Sequence, residues 1–148
     1  MTKEVLVSIT GLQFDQNGDN GDIEVITRGD YYKKNDKHYV LFEEVAEGTA
    51  DVTKNVMKFA EHELNLHRKG ATNVDMVFDE KRKTLSSYGT PFGNILIGID
   101  TETVSCEEGE DRISLSVDYA LEVNYEFLAN CKLKVDISSK GSEVNLLN

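Results

Sequence analysis

Arg68 is the residue whose type and position most suggest chemistry. It has the parity of Leu64 and Leu66, and residues two apart in an extended strand face the same side. An arginine on an apolar face needs a carboxylate or another hydrogen-bonding partner. If a ligand supplies the carboxylate, Arg68 captures an acidic head group, with Tyr119 or Tyr31 as hydroxyl partners. The tyrosines Tyr31, Tyr32, Tyr39, Tyr88, Tyr119 and Tyr125 could line a cavity. The candidate ligand-binding set is therefore Arg68, Tyr119, Tyr31, Glu43 and Tyr88. The structural alternative pairs Arg68 with an internal Glu43 or Glu44, or lets it reach water at a strand end. It places the tyrosine rings in core or rim packing, their hydroxyls bonded to backbone.

Other chemistry-bearing patterns fail on spacing. Ser86, Ser87 and Tyr88 could act as nucleophiles, but no base stands at a recognisable spacing. There is no Gly-x-Ser-x-Gly elbow and no glycine-rich phosphate loop. In His62-Glu63-Leu64-Asn65-Leu66-His67 the second histidine comes one position too late for zinc ligation on a helix. His38, His62 and His67 are read as surface or rim histidines. Asp15, Asn17 and Asp19 have calcium-loop spacing, but Asn20 replaces the glycine and Ile26 the glutamate that such a loop needs. The loop Asp15–Asp22 is read as a hairpin turn built on Asn17-Gly18. Cys106 and Cys131 form neither a zinc site nor a disulfide framework; Cys131, in phase with Leu133, Val135 and Ile137, reads as a buried inert thiol. No catalytic residue, metal or cofactor is expected, and an enzyme is the weakest reading.

The elements that position these residues read as strands. From Ile113 to Phe127 every odd position is apolar or aromatic, the mark of a strand with one dry face. At ~3.3 Å per residue that run is roughly 50 Å long, so it must coil and bend. Val5, Val7 and Ile9 share a face, and the phase changes at Gly11, where Leu12 and Phe14 take the other parity; a bulge is expected there. Further strands run from Ile23 to about Tyr32 and from His38 to about Ala46. The stretch from Ala50 to Gly70 fits a helix or two strands, about Val52–Phe59 and His62–Lys69. Val74, Met76 and Phe78 mark the next strand. Pro91 calls for a corner or an edge, and Ile95, Ile97 and Ile99 alternate after it. Asp100 to Asp111 holds six acids and no base, read as a solvated hairpin end. The last strand runs from about Asn130 to Ser138. The result is an all-β fold: an antiparallel up-and-down barrel of about ten strands, residues 1–140, with 141–148 a frayed tail.

The 148 residues suit one domain and one core. A formal net charge of −11 argues against nucleic acid or an anionic membrane as the main partner. The start Met1-Thr2-Lys3-Glu4 and the short run after it lack a secretory leader, and no run approaches the ~18 apolar residues of a membrane span. A cytoplasmic location is expected.

Several short stretches, in order, resemble one known family. They are Gly29-Asp30-Tyr31-Tyr32, Tyr39-Val40-Leu41-Phe42-Glu43-Glu44, Arg68-Lys69-Gly70, Tyr88-Gly89-Thr90-Pro91-Phe92-Gly93, and Ile113-Ser114-Leu115 with Tyr119 and Leu121. Together they are similar to the YwiB-like family of small bacterial proteins of unknown function, over nearly the whole chain. The resemblance implies a calycin-type barrel, as in lipocalins and fatty-acid-binding proteins, and a bacterial cytosolic setting. It decides the 50–70 stretch for strands. It carries over no catalytic residue, and Phe42 stands where it leads one to expect a tyrosine.

Two functions are expected from this. The first is a non-enzymatic binder of a small acidic or amphipathic molecule in the barrel interior. The alternative is a solidly packed barrel serving as an interaction or structural module, as a homodimer or with a basic protein partner.

Overall fold

Alternating apolar positions fold into ten antiparallel strands among the described residues: β1 Glu4–Thr10, β2 Glu24–Lys34, β3 Lys37–Val45, β4 Val52–Ala60, β5 Glu63–Lys69, β6 Val74–Asp79, β7 Arg82–Thr90, β8 Gly93–Glu108, β9 Arg112–Val123 and β10 Glu126–Ser139. The structure, a computed structural model, describes residues 3–11, 24–45, 52–70, 73–90 and 93–140. The expected phase change onto Leu12 and Phe14, the hairpin loop Asp15–Asp22, the Pro91 corner and the tail 141–148 lie outside the described residues.

The strands hydrogen-bond in the order β6-β5-β4-β3-β2-β1-β10-β9-β8-β7, so the chain's first and last strands meet and the sheet curls into a nearly closed barrel. The turns Asn35–Asp36, Glu61–His62 and Glu80–Lys81 lie at one end, the lower end, with the β8–β9 connection. Asn35 and Asp36 both have positive φ, 53° and 65°, the backbone of a two-residue hairpin turn that matches strand twist. Gly11 closes β1 with φ +89°, and a Cβ there would stand 2.0 Å from the Lys132 carbonyl oxygen, so only glycine fits.

Register sets inward side chains in rows across β3 to β6. The lowest row is His38, Phe59, Leu64 and Phe78, and above it lie Val40, Met57, Leu66 and Met76. The third row is Phe42, Asn55, Arg68 and Val74, topped by the pair Glu44 and Thr53. The two lower rows are buried throughout. Ile113, Leu115, Val117, Tyr119 and Leu121 of β9, with Leu133, Val135 and Ile137 of β10, form the facing wall. The stretch that fitted either helix or strands is therefore strand, as β4 and β5.

Four expectations need correction. The alternating run does not continue to Phe127: β9 ends at Val123, Asn124–Tyr125 turn, and Phe127 belongs to β10. Both turn residues have positive φ, 49° and 69°, without the glycine that usually announces such a turn. Asn124 instead pins the corner, its Oδ1 accepting from Leu96 N at 3.0 Å and its N donating to Leu96 O at 2.7 Å. A bulge between Phe127 and Ala129 follows, leaving Tyr125, Phe127 and Leu128 at 73%, 63% and 60% exposure rather than in the core. His38 is buried rather than a rim residue. The six acids from Asp100 to Asp111 are exposed, as expected of a solvated hairpin end, but the stretch is strand as far as Glu108, with a bulge between Thr101 and Thr103.

The nearly closed barrel has one unladdered joint, between β6 and β7. Parity supplies the reason. Val74, Met76 and Phe78 point inward on β6, and Thr84, Ser86 and Tyr88 take the inward side of β7 opposite Ile99, Ile97 and Ile95. A ladder continuing from the two-residue Glu80–Lys81 turn would set Val77 against Thr84 and Asp75 against Ser86, an outward position against an inward one each time. The corner bonds elsewhere instead: Glu80 N to His62 O at 3.2 Å and Lys81 N to Thr101 O at 2.8 Å. The Thr84 hydroxyl crosses the seam to the Val77 carbonyl at 2.7 Å.

Candidate functional site

The upper end of the interior carries Asn55, Arg68 and Glu44, where the lower rows are apolar apart from His38. Asn55 and Arg68 stand directly opposite each other on β4 and β5, which puts their Cβ atoms ~5 Å apart. Glu44 reaches them from β3. Arg68 Nη2 donates to Glu44 Oε2 at 3.1 Å, with side-chain exposures of 22% and 28%. Asn55 Nδ2 faces Glu44 Oε1 at 3.4 Å and Thr53 O at 3.3 Å. Both neighbours are acceptors, so turning the amide over would set its oxygen against a carboxylate; the orientation is determined by the network. Asn55 is 2% exposed, and its Oδ1 has no hydrogen-bond partner among the described residues. A buried carbonyl oxygen without a donor costs about 1–3 kcal/mol, which makes it the one costly atom of the cluster.

The sequence-derived candidates separate. Arg68 points inward as its parity predicts, and its carboxylate is Glu44; Glu43 is exposed on the outer face. Tyr31 lies at the lower end, its hydroxyl 2.7 Å from His38 Nδ1. His38 stacks on Phe59 at 4.8 Å between ring centroids, and its Nε2 is 3.8 Å from Glu108 Oε1. Burial pushes the Tyr31 hydroxyl pKa up, reinforced by Glu108 and Cys106. Burial holds His38 below its ordinary value against the pull of Glu108, with Lys33 adding to the lowering. Tyr119 packs edge-on against Phe78 at 4.9 Å in the barrel wall. Tyr88, on β7, packs against the core. Glu44 was weighed only as a structural partner of Arg68, and neither Asn55 nor His38 was among the candidates. The signal for Asn55 was present, a polar residue in phase with Met57 and Phe59.

Along the seam, a cleft of about 430 Å³ is lined by His67, Asp75, Ser86 and Ser87 among others. His67 Nδ1 bonds Asp75 Oδ1, so the fold supplies an imidazole–carboxylate pair near serines that lacked a base in the sequence. The pair is well exposed, and among the described residues neither serine bonds to the imidazole. The nucleophile–base contact of acyl transfer is missing. Cys106 and Cys131 are half-buried free thiols, and burial raises both their pKa values, the opposite of an activated nucleophile. Among the described residues no cluster of three His, Cys, Asp or Glu could hold a metal ion, and no helix is long and apolar enough to cross a membrane.

These features define a small antiparallel β-barrel with a buried polar cluster at one end of its interior. The chain belongs to the family described as a domain of unknown function, DUF1934, whose model matches residues 7–135. It is 29% identical over 111 residues to the uncharacterized β-barrel protein YwiB of Bacillus subtilis strain 168, covering 73% of this chain and 77% of that protein. The crystal structure of the ywiB protein from Bacillus subtilis superposes with a TM-score of 0.71 at 20% identity, over 92% of this chain and 89% of that one. The structural likeness establishes the fold.

Proposed function

We propose that the chain is a non-enzymatic, cytoplasmic binder of a small amphipathic molecule, held at the upper end of the barrel interior. The observation that carries this reading is the buried Asn55 Oδ1, without a donor among the described residues, beside the Arg68–Glu44 pair. A polar head seated there would rest above Met57, Leu66 and Met76. Polar groups converging over an apolar floor are what a ligand of this kind requires. The charge of −11 is compatible with a freely diffusing carrier. Native mass spectrometry of the protein purified from its own host tests the reading. A reproducible small-molecule adduct that disappears in Arg68→Met, with the fold intact by circular dichroism, is expected. A bare chain in every preparation sinks it.

The alternative, an interaction module, is favoured by one observation: Tyr125, Phe127 and Leu128 stand exposed together at the β9–β10 corner. Exposed apolar clusters of this kind mark contact surfaces. In the same spectra a bare dimer, or a co-purifying protein lost in Phe127→Ser, speaks for this alternative.

A further inference from the structure

The upper-end cluster carries more information than the presence of a site, because its charges and its hydrogen-bonding directions limit what it can hold. Arg68 has five N–H donors, and among the described residues its side-chain hydrogen bond is the one to Glu44. Its remaining donors make no bond to these residues and, with the side chain 22% exposed, are open to an incoming acceptor. Directly opposite, Asn55 offers a lone acceptor, since its amide nitrogen is committed to Glu44 and Thr53. The site thus presents donors and an acceptor side by side, one strand spacing apart.

Charge sharpens the choice. Glu44 already neutralises Arg68, so the cluster is balanced before any ligand binds. A carboxylate entering it would leave two negative groups facing one positive group in a largely buried place, and it would bring no proton for Asn55 Oδ1. A head group that is uncharged, with a carbonyl oxygen next to an N–H, meets both requirements. Its oxygen accepts from Arg68 and its N–H donates to Asn55.

Resting on the interior-binder reading above, we propose that the site recognises the edge of an amide (a carboxamide, lactam or ureido group) on a small apolar body, and discriminates against free carboxylates. This departs from the acidic ligand that Arg68 alone suggests. Loss of the single donor to a buried acceptor, together with like-charge repulsion from Glu44, is worth at least about tenfold in affinity.

Hexanamide and hexanoate differ only in the group at issue, and titrating each into the full chain tests the proposal. The side-chain NH₂ resonances of Asn55 and the guanidinium resonance of Arg68 are followed by NMR. The expected result is that hexanamide shifts both sets and binds about tenfold or more tightly than hexanoate. In Asn55→Leu, or Asn55→Ala should the leucine variant not fold, the preference is expected to shrink to the share that repulsion from Glu44 supplies. If hexanoate binds as well as hexanamide and moves the same resonances, the amide assignment is overturned while the interior site stands. If the preference is undiminished without Asn55, its location is overturned. Should neither compound move these resonances, the amide assignment falls together with the binder reading, and a buried water is left as the partner of Asn55.

Discussion

The Tyr31 hydroxyl and His38 Nδ1 lie 2.7 Å apart at the lower end of the barrel interior, away from Arg68. The Glu108 carboxylate, an acceptor only, lies on the Nε2 side at 3.8 Å; this favours the tautomer with the ring proton on Nε2 and Nδ1 accepting from the phenol. The groups facing this histidine are Tyr31, Phe59, Glu108 and Lys33.

Acid is expected to weaken the fold through His38. Burial lowers its pKa below 6.5 in the folded chain, while the unfolded chain keeps the ordinary value. The unfolded state therefore binds more protons between the two values, and stability rises with pH across that window. The stabilisation is full above about 6.5 and is lost progressively as pH falls toward the folded value. Urea melts between pH 7.5 and 5 check this, with His38→Gln expected to flatten this part of the slope. In Tyr31→Phe the buried Nδ1 loses its donor. The histidine is then expected to titrate at a higher pH by NMR, with stability down by about 1 kcal/mol.

Arg68→Met leaves Glu44 without its cation in a place only 28% exposed. A loss of about 1–3 kcal/mol is expected, less than for a fully enclosed pair because water reaches both partners. The double change Arg68→Met with Glu44→Gln is expected to recover most of it. Chemical denaturation of the four species of this cycle gives the coupling; a single Arg68→Met variant as stable as the parent excludes a structural role for the pair.

Tyr125 has a φ of 69° with its side chain 73% exposed. Tyr125→Gly is expected to stabilise the chain by about 0.5–1 kcal/mol by removing the left-handed strain, raising Tm by about 1–4 °C. Tyr125→Ala, which keeps a Cβ, is expected to bring no such gain. Calorimetry on the pair separates backbone strain from loss of the ring.

Thr84→Val keeps the shape of the side chain but removes the hydroxyl that crosses the seam to Val77. About 1 kcal/mol of stability is expected to go. Amide exchange measured by mass spectrometry is expected to quicken in β6 and β7, with β9 and β10 unchanged. Uniform exchange across all strands would mean that the seam is no weaker than the rest of the wall.

Much of the barrel was legible in parity. Val5, Val7 and Ile9, or Ile113 to Leu121, show their faces in the sequence because one side is dry and the other wet. Arg68 could be placed inside on the same ground. Its partner could not, because Glu43 and Glu44 are adjacent and only the β3–β4 register decides which faces inward. The Asn124–Tyr125 turn was hidden because it contains no glycine and because Tyr125 and Phe127 happen to continue the odd-numbered apolar run. His38 looked like a rim residue because burying an imidazole depends on Tyr31, one strand away. The seam was hidden because it is set by two parities relative to one turn length.

A hoop whose staves are all pegged together keeps one girth. Here, among the described residues, the joint between the sixth and seventh staves is spanned by one hydroxyl peg, Thr84, and by the Arg82–Asp79 ion pair at its lower corner, while the other nine joints carry backbone ladders. Releasing both lets the hoop spread while every backbone rung elsewhere stays intact. On the binder reading proposed above, that joint is where a guest would pass sideways through the wall without the fold being unmade.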